Sequence, residues 1–306
     1  VGANHHLRSK VVYRRIQHIF WILFAMLIAW CGWSLLSHRM PWQKHWETEH
    51  QLTVVTYNTN GMLVDKKLED KLAMLDYVKK LDADIVCLQE VLVYKNPNRF
   101  TLPDLREIMR EYPYTYYDFK VYNSRRQFGN VVFSRYPLKN KNTIRYESQS
   151  NISSQCDVLV GSDTLRLIVN HLESYGLVKE DLQFDTLSMA EIKNSSLVQK
   201  LHHAGKLRHQ QAREVKRSIR QSPYPVVVVG DFNAIPLSYV YWKVKLGLRD
   251  CFLESSFGQL GNTIKKGPLG IRIDYILCSR KMTPIKCEVD RVRYSDHFPV
   301  CATIGW

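Results

Sequence analysis

The chain has 306 residues, 45% hydrophobic and 24% charged, with a formal net charge of +14. That is ample material for one large core plus an appendage, and no internal repeat or low-complexity segment is present, which excludes a solenoid. Seven cysteines occur without any Cys-x-x-Cys spacing, which excludes a thiolate metal centre of the usual kind. The pI of about 9.4 favours anionic partners, whether nucleic acid, phosphorylated small molecules or anionic lipid heads. A solvated basic surface on a membrane-bound protein accounts for the charge equally well.

Residues 19–36 are nearly all apolar and carry no charge. A bilayer span needs about 20 such residues, so this run predicts a transmembrane helix. Trp21, Trp30, Trp33, Trp42 and Trp46 cluster near its ends, as interfacial aromatics do. A cleaved signal peptide fits less well, because the run is long and no small-x-small site follows it. Arg8, Lys10, Arg14 and Arg15 precede the run, whereas Arg39 and Lys44 follow it. This excess places residues 1–18 on the cytoplasmic side and everything beyond the span outside. Residues 37–51 read as a linker, and residues 52–306 as the remaining domain.

Strands are predicted over 52–58, 84–89, 114–122, 129–134 and 141–146. Residues 156–160 and 165–170 form a hairpin around Gly161-Ser162-Asp163. Further strands are predicted at 226–231, 262–263, 271–278 and 300–304, the last three closing a second sheet. Helices are predicted over 66–81, 103–112, within 177–219, and over 239–246. Strands and helices mix without strict alternation. The expected fold is therefore α+β: a four-layer sandwich of two mostly antiparallel sheets flanked by helices. Cys87, Cys278 and Cys301 sit inside strand-like runs as small buried hydrophobes. A Cys278–Cys287 pair across a hairpin is conceivable but not favoured.

Polar residues stand where buried strands end: Asn58, Gln89-Glu90, Gly230-Asp231-Phe232-Asn233 and Asp296-His297. Strand ends of this kind are where α/β proteins build ligand sites. Asp231 and Asn233 are two apart, so their side chains can leave on the same side. Local readings compete at each position. Glu90 alone could be a solvated strand-end carboxylate, and Asp-x-Asn an Asx turn. The basic run from Lys193 to Arg220 reads foremost as a solvated helix face.

Taken in order, these residues resemble the endonuclease/exonuclease/phosphatase superfamily, the fold of DNase I-like enzymes. The resemblance rests on Tyr57-Asn58, Gln89-Glu90, Gly129-Asn130 with Ser134-Arg135-Tyr136-Pro137, and His171-Leu172-Glu173-Ser174. It continues through Gly230-Asp231-Phe232-Asn233, Arg272-Ile273-Asp274-Tyr275-Ile276 and Ser295-Asp296-His297-Phe298-Pro299. Seven motifs in one order outweigh any single match. The apolar N-terminus resembles that of membrane-anchored members of Bacteroidetes type. That likeness implies a bacterial inner membrane with a single or last span, and the charge bias then puts the catalytic domain in the periplasm.

The resemblance implies a divalent-metal-dependent phosphoesterase that hydrolyses a phosphodiester by in-line attack of water. Glu90 is the implied metal ligand, shared or supported by Asn58 and Asp296, with Mg2+ as cofactor and Mn2+ as its alternative. His297 would act on the phosphate or the attacking water, with Asp274 as its orienting partner. Asp231 would hold the water, Asn233 would bind a non-bridging oxygen, and His171 would donate to the phosphate. Glu173 and Ser174 lean towards structure, although their tetrapeptide resembles the tyrosyl-DNA phosphodiesterase branch. A further phosphate contact is open between Tyr122, Arg125, Arg126 and Tyr175. The implied partners are a nucleic acid or phospholipid substrate and the bilayer itself. The alternatives are a phosphoinositide-type phosphomonoesterase and an inactive, membrane-anchored phosphate-binding module.

Overall fold

The computed structural model describes residues 18, 21–22, 24–26, 48–63, 67–146, 148, 151–174, 196–256, 261–265 and 271–306. The chain divides into two units, Val1–Trp42 and Gln43–Trp306. In the first, the described residues are helical, and the Trp21 and Phe24 rings meet edge to face at 5.9 Å. The expected span over 19–36 and the linker over 37–51 lie largely outside the described residues. Among the described residues, no helix is long and apolar enough to cross a membrane.

The second unit holds two six-stranded sheets. Its strands are β1 (Gln51–Asn58), β2 (Ile85–Tyr94), β3 (Tyr114–Asn123), β4 (Arg126–Ser134), β5 (Leu138–Ile144) and β6 (Ile152–Val160). They continue with β7 (Asp163–His171), β8 (Val226–Asp231), β9 (Leu248–Asp250), β10 (Asp274–Ser279), β11 (Thr283–Val289) and β12 (Val300–Gly305). The first sheet runs β11-β12-β1-β2-β4-β3 and the second β5-β6-β7-β8-β10-β9. Only β1–β2 and β7–β8 pair in parallel among the described strands.

Period-two alternation explains why the central strands read as unbroken apolar runs. Val227 and Val229 of β8, like Ile276 and Cys278 of β10, face the other sheet. There they meet Val54, Cys87, Val132 and Ile304 of the first sheet. Val226, Val228, Tyr275 and Leu277 point the other way, against Ala212, Val215, Val240 and Val244. These belong to helices α3 (Ser196–Gln221) and α4 (Tyr239–Lys245). On the far side, Val55, Tyr57, Val86 and Leu88 pack on Met74, Leu75 and Val78 of α1 (Leu68–Lys80) and Leu105 of α2 (Leu102–Ile108). Three apolar interfaces separate four layers, as expected.

Helix starts follow local chemistry. Thr101 and Asp104 close a capping box at α2. Ser238 caps α4, and Asp250 caps α5 (Cys251–Ser255).

Five details differ from expectation. Residues 262–263 form no strand; beside them only Ile264 makes isolated bridges, to Ile271 and His297. Residues 300–304 form a strand but in the first sheet, as β12 beside β1, not in the second. Strand β2 does not stop at Gln89; it runs through a bulge between Leu88 and Val91 to Tyr94. Strands β9 and β11 and helix α5 form where no element is expected. Cys301, expected to be buried, is only half-buried; the six described cysteines are all free, so Cys278 and Cys287 are unbridged, in line with expectation.

Candidate active site

One edge of the sandwich collects the polar strand ends. Strands β7 and β8 run parallel and finish level, with His171 beside Asp231. Antiparallel β10 begins at the same level, with Asp274 beside Asp231. In the facing sheet, Asn58 closes β1 level with Gln89. Close approach at this edge needs Gly230. Its φ is +118°, and a Cβ there would sit 2.0 Å from the Asn170 carbonyl oxygen.

Glu90 occupies the β2 bulge with φ +55°. A left-handed non-glycine residue costs about 1–3 kcal/mol, and a bulge re-aims its side chain out of the strand alternation. Glu90 Oε1 thereby accepts from Asn58 Nδ2 at 2.9 Å and lies 3.2 Å from His171 Nε2. Asn58 Nδ2 also donates to Asp231 Oδ2 at 3.0 Å, which ties the first sheet to the second.

His297 precedes β12. Its Nδ1 lies 2.9 Å from Asp274 Oδ2, and its Nε2 3.8 Å from Asp231 Oδ2. Ser295 fixes that turn: its Oγ donates to the Asn58 carbonyl at 2.9 Å and accepts from His297 N at 3.2 Å. Asp296, between them, accepts from Lys265 N through its carbonyl and adds negative charge beside His297. Thr263 Oγ1 accepts from the backbone N–H of both Ile273 and Asp274.

Electrostatics follow the geometry. Burial alone would lower the His297 pKa, but Asp274 and Asp231 outweigh it and hold it up at about 10. Burial likewise opposes protonation of His171, and its contact with Glu90 raises the pKa nonetheless. Burial, then Asp274, pushes Asp231 up. Burial would also push Glu90 up; His171, Asn58 and His297 together hold it down at about 2. Asn58, Asp231, Asp274, His171 and His297 are buried, whereas the Glu90 side chain is 24% exposed. Glu90 is therefore ionised and open to a cation.

Asn233, with φ +47°, forms the Asx turn: its N–H donates to Asp231 Oδ1 at 2.7 Å. Its Nδ2 donates to the Leu172 carbonyl at 2.9 Å and lies 3.3 Å from Asp231 Oδ2. A phosphate contact from this amide has to replace one of these. The geometry thus brings Asn58, Glu90, His171, Asp231, Asn233, Asp274 and His297 together, with Asp296 at the rim. Donor atoms of Asp231, Asp274 and His297 lie within 4.8 Å of one another, a second grouping of metal-ligand type. It differs from the expected Glu90, Asn58 and Asp296 set. The Asp274 bond to His297 Nδ1 and the Asn58 and Asn233 bonds to Asp231 fit an acid–base cluster better.

The sequence motifs do not single out Arg208 as part of the site. Buried Arg208 of α3 donates from Nη1 to the carbonyls of Asn233 and Glu173, at 2.5 and 3.2 Å. Asn130 Nδ2 reaches Ser154 Oγ at 3.1 Å, joining the sheets beneath the site. The Phe128 ring lies 6.4 Å from the His171 imidazole. Glu173 accepts from Ser148 Oγ at 2.6 Å and donates through its backbone to Gln211, a structural part. Of the candidate phosphate contacts, Tyr175 and the Tyr122 side chain lie outside the described residues. Arg125 is exposed and Arg126 half-buried at the β3–β4 hairpin.

A two-sheet sandwich with this polar edge is the scaffold of a phosphate-ester hydrolase. The sequence profile of the Endonuclease/Exonuclease/phosphatase family matches residues 55–297, and the chain belongs to that family. No curated protein matches the sequence. Among solved structures, the fold is similar to an endonuclease/exonuclease/phosphatase from Beutenbergia cavernae, with TM-score 0.62 and 17% identity over 84% of this chain and 72% of that one. Truncated TDP2 of Caenorhabditis elegans gives TM-score 0.58 and 20% identity over 85% of this chain and 99% of that one. A family protein from Bacteroides thetaiotaomicron gives 0.60 and 17% over 83% and 97%. Likeness at these identities concerns the fold.

Proposed function

We propose that the protein is a divalent-metal-dependent phosphodiesterase. The observation that carries this is Asn58 Nδ2, which touches the Glu90 carboxylate at 2.9 Å and the Asp231 carboxylate at 3.0 Å. One amide thus couples an open, ionised carboxylate to the buried Asp231–Asp274–His297 cluster. The expected ligands fit a hard cation: Glu90 is ionised and partly exposed, Asp296 is a second carboxylate, and Asn58 carries an amide oxygen, Oδ1, that here accepts from Asn60 N. Glu90, with Asn58 and Asp296, would hold Mg2+ or Mn2+. Such an ion offsets the charge that builds on phosphoryl oxygens.

The chain's own residues would do the rest. His297, charged between Asp274 and Asp231, donates from Nε2 to a phosphoryl oxygen, as a charge stabiliser. Asp231, whose pKa is raised, is the group suited to hold the attacking water and take its proton. His171, whose pKa is raised by its contact with Glu90, adds a second imidazole donor. Asn233 keeps the Asp231 loop in place and would meet a non-bridging oxygen once its amide is released. The substrate is a phosphodiester of nucleic acid or of a phospholipid head group. We further infer a single or last N-terminal span in a bacterial inner membrane, with this domain in the periplasm, from the charge bias around residues 19–36.

The deciding assay compares plasmid DNA, RNA, phospholipids and bis-(p-nitrophenyl) phosphate, with Mg2+, with Mn2+ and with EDTA. Metal-dependent release from at least one diester is expected. Binding of diesters without turnover under every metal would favour the inactive phosphate-binding module.

A further inference from the structure

Helix α4 is apolar on both sides, and only one side is covered. Val240, Tyr241 and Val244 are buried against the second sheet. Tyr239, Trp242 and Leu246, spaced i, i+3 and i+7, form an outward stripe. Tyr239 is 48% exposed, Trp242 55% and Leu246 60%. The turn leading into the helix adds Leu237 at 85% and Ile235 at 45%. A helix that is apolar all round is ordinarily buried on every side. Five large apolar side chains within twelve residues exceed the scattered exposure that any surface carries.

The surroundings of this patch are basic. No acidic residue occurs from Phe232 to Gly247, and α3 alongside contains one, Glu214, already paired with Arg217. Lys243 lies 6.0 Å from the Tyr239 ring and Lys245 5.0 Å from the Trp242 ring. The His209 and Tyr239 rings are 4.7 Å apart. Between α3 and α4 a cleft of about 410 Å³ is lined by His202, Lys206, His209, Arg213 and Tyr239.

We propose that this α3–α4 face is a docking surface for an anionic lipid bilayer. Aromatic rings flanked by lysines, with aliphatic tips beyond them, match the layering of a bilayer interface. The rings sit at head-group depth, the lysines reach lipid phosphates, and Leu237 and Leu246 enter the acyl boundary. Single-stranded nucleic acid also takes basic and aromatic surfaces, but it stacks bases on rings. The most exposed residue here is Leu237, which offers no stacking face. Ile235 follows two residues after Asn233, so a docked face would bring the catalytic edge beside the lipid. The inference goes beyond the phosphodiesterase assignment and stands whether the substrate is nucleic acid or lipid.

Hydrogen–deuterium exchange on the purified full chain tests it, in detergent and in nanodiscs of phosphatidylglycerol or phosphatidylcholine. Peptides covering residues 235–246 should exchange about 5-fold more slowly in phosphatidylglycerol than in phosphatidylcholine. The double variants L237S/W242S and K243E/K245E should each lose that protection, with exchange in β8 unchanged as the folding control. High salt should weaken it. Equal exchange in the two lipids would overturn the proposal. So would protection of the same peptides by a DNA oligonucleotide but not by phosphatidylglycerol. The wild-type comparison decides by itself if a variant fails to fold.

Discussion

Asp274 and His297 belong to opposite sheets, yet His297 Nδ1 and Asp274 Oδ2 meet at 2.9 Å. Asp274 opens β10 in the second sheet; His297 stands in the turn that feeds β12 in the first. The pair therefore forms only when the sandwich closes. Closure also delivers Asp231 to within 3.8 Å of the other imidazole nitrogen. An imidazole flanked by two carboxylates is a hydrogen-bond donor on both sides, which suits it to developing negative charge.

Removing the imidazole should cost turnover and spare the fold. H297A and D231N are each expected to lower kcat by about 10²-fold or more, the usual scale for a charge stabiliser or general base. Circular dichroism should stay near wild type, although H297A should melt lower because buried Asp274 and Asp231 lose their cation. Near wild-type rates in either variant would move the site elsewhere.

Protonation of His297 carries a sign. Its pKa is raised from 6.5 to about 10 in the metal-free protein, by Asp274 and Asp231 against the effect of burial. A raised pKa means that this contribution to stability is full below about 6.5 and is lost as pH rises through about 10. Ring ¹⁵N NMR on metal-free protein should show imidazolium persisting past pH 8. D274N should bring the titration down. A wild-type ring that titrates near 6.5 would contradict the assigned charge state.

Glu90 should govern metal dependence. EDTA is expected to abolish hydrolysis, and E90Q to raise the Mg2+ concentration for half-maximal rate by 10-fold or more, on the order of what a lost ligand or its support costs. Calorimetric titration of metal into E90Q reads the same loss without catalysis. Unchanged metal affinity there would reassign the ion, with the Asp231, Asp274 and His297 cluster as the next place to look.

Chemistry was more legible in the sequence than geometry. Strands β8 and β10 announced themselves because both faces are buried, so Val226–Asp231 reads as an apolar run ending in a carboxylate. The partner of β12 did not, because pairing with β1 joins residues about 250 positions apart and no local pattern encodes it. Pro284 concealed β11, since proline within a run argues against a strand and is tolerated only at an edge or bulge. Glu90 was visible as a candidate ligand, but the bulge that aims it was not; Gln89-Glu90 simply continues a strand. Arg208 looks like its basic neighbours in α3, and only burial against the Asn233 carbonyl separates it from them.

Arg272 stands two residues before Asp274, but its work is structural. It is buried, its Nη1 lies 2.9 Å from Asp250 Oδ1, and its guanidinium lies 4.8 Å from the Tyr275 ring and 5.1 Å from the Phe252 ring. Asp250 Oδ2 accepts from the Tyr241 hydroxyl at 2.7 Å, and Oδ1 caps α5. Losing the guanidinium leaves a buried carboxylate without its cation. R272M should therefore cost about 3–5 kcal/mol, a fall in Tm on the order of 10 °C for a domain of this size. The double variant R272M/D250L removes the stranded charge and should recover part of the loss, despite forfeiting the cap. Because Arg272 touches none of Asn58, Glu90, Asp231 or His297, kcat of folded R272M well below its Tm should remain within about 3-fold of wild type. A collapse of kcat in fully folded protein would instead place Arg272 in the chemistry. An unchanged Tm would refute the buried ion pair.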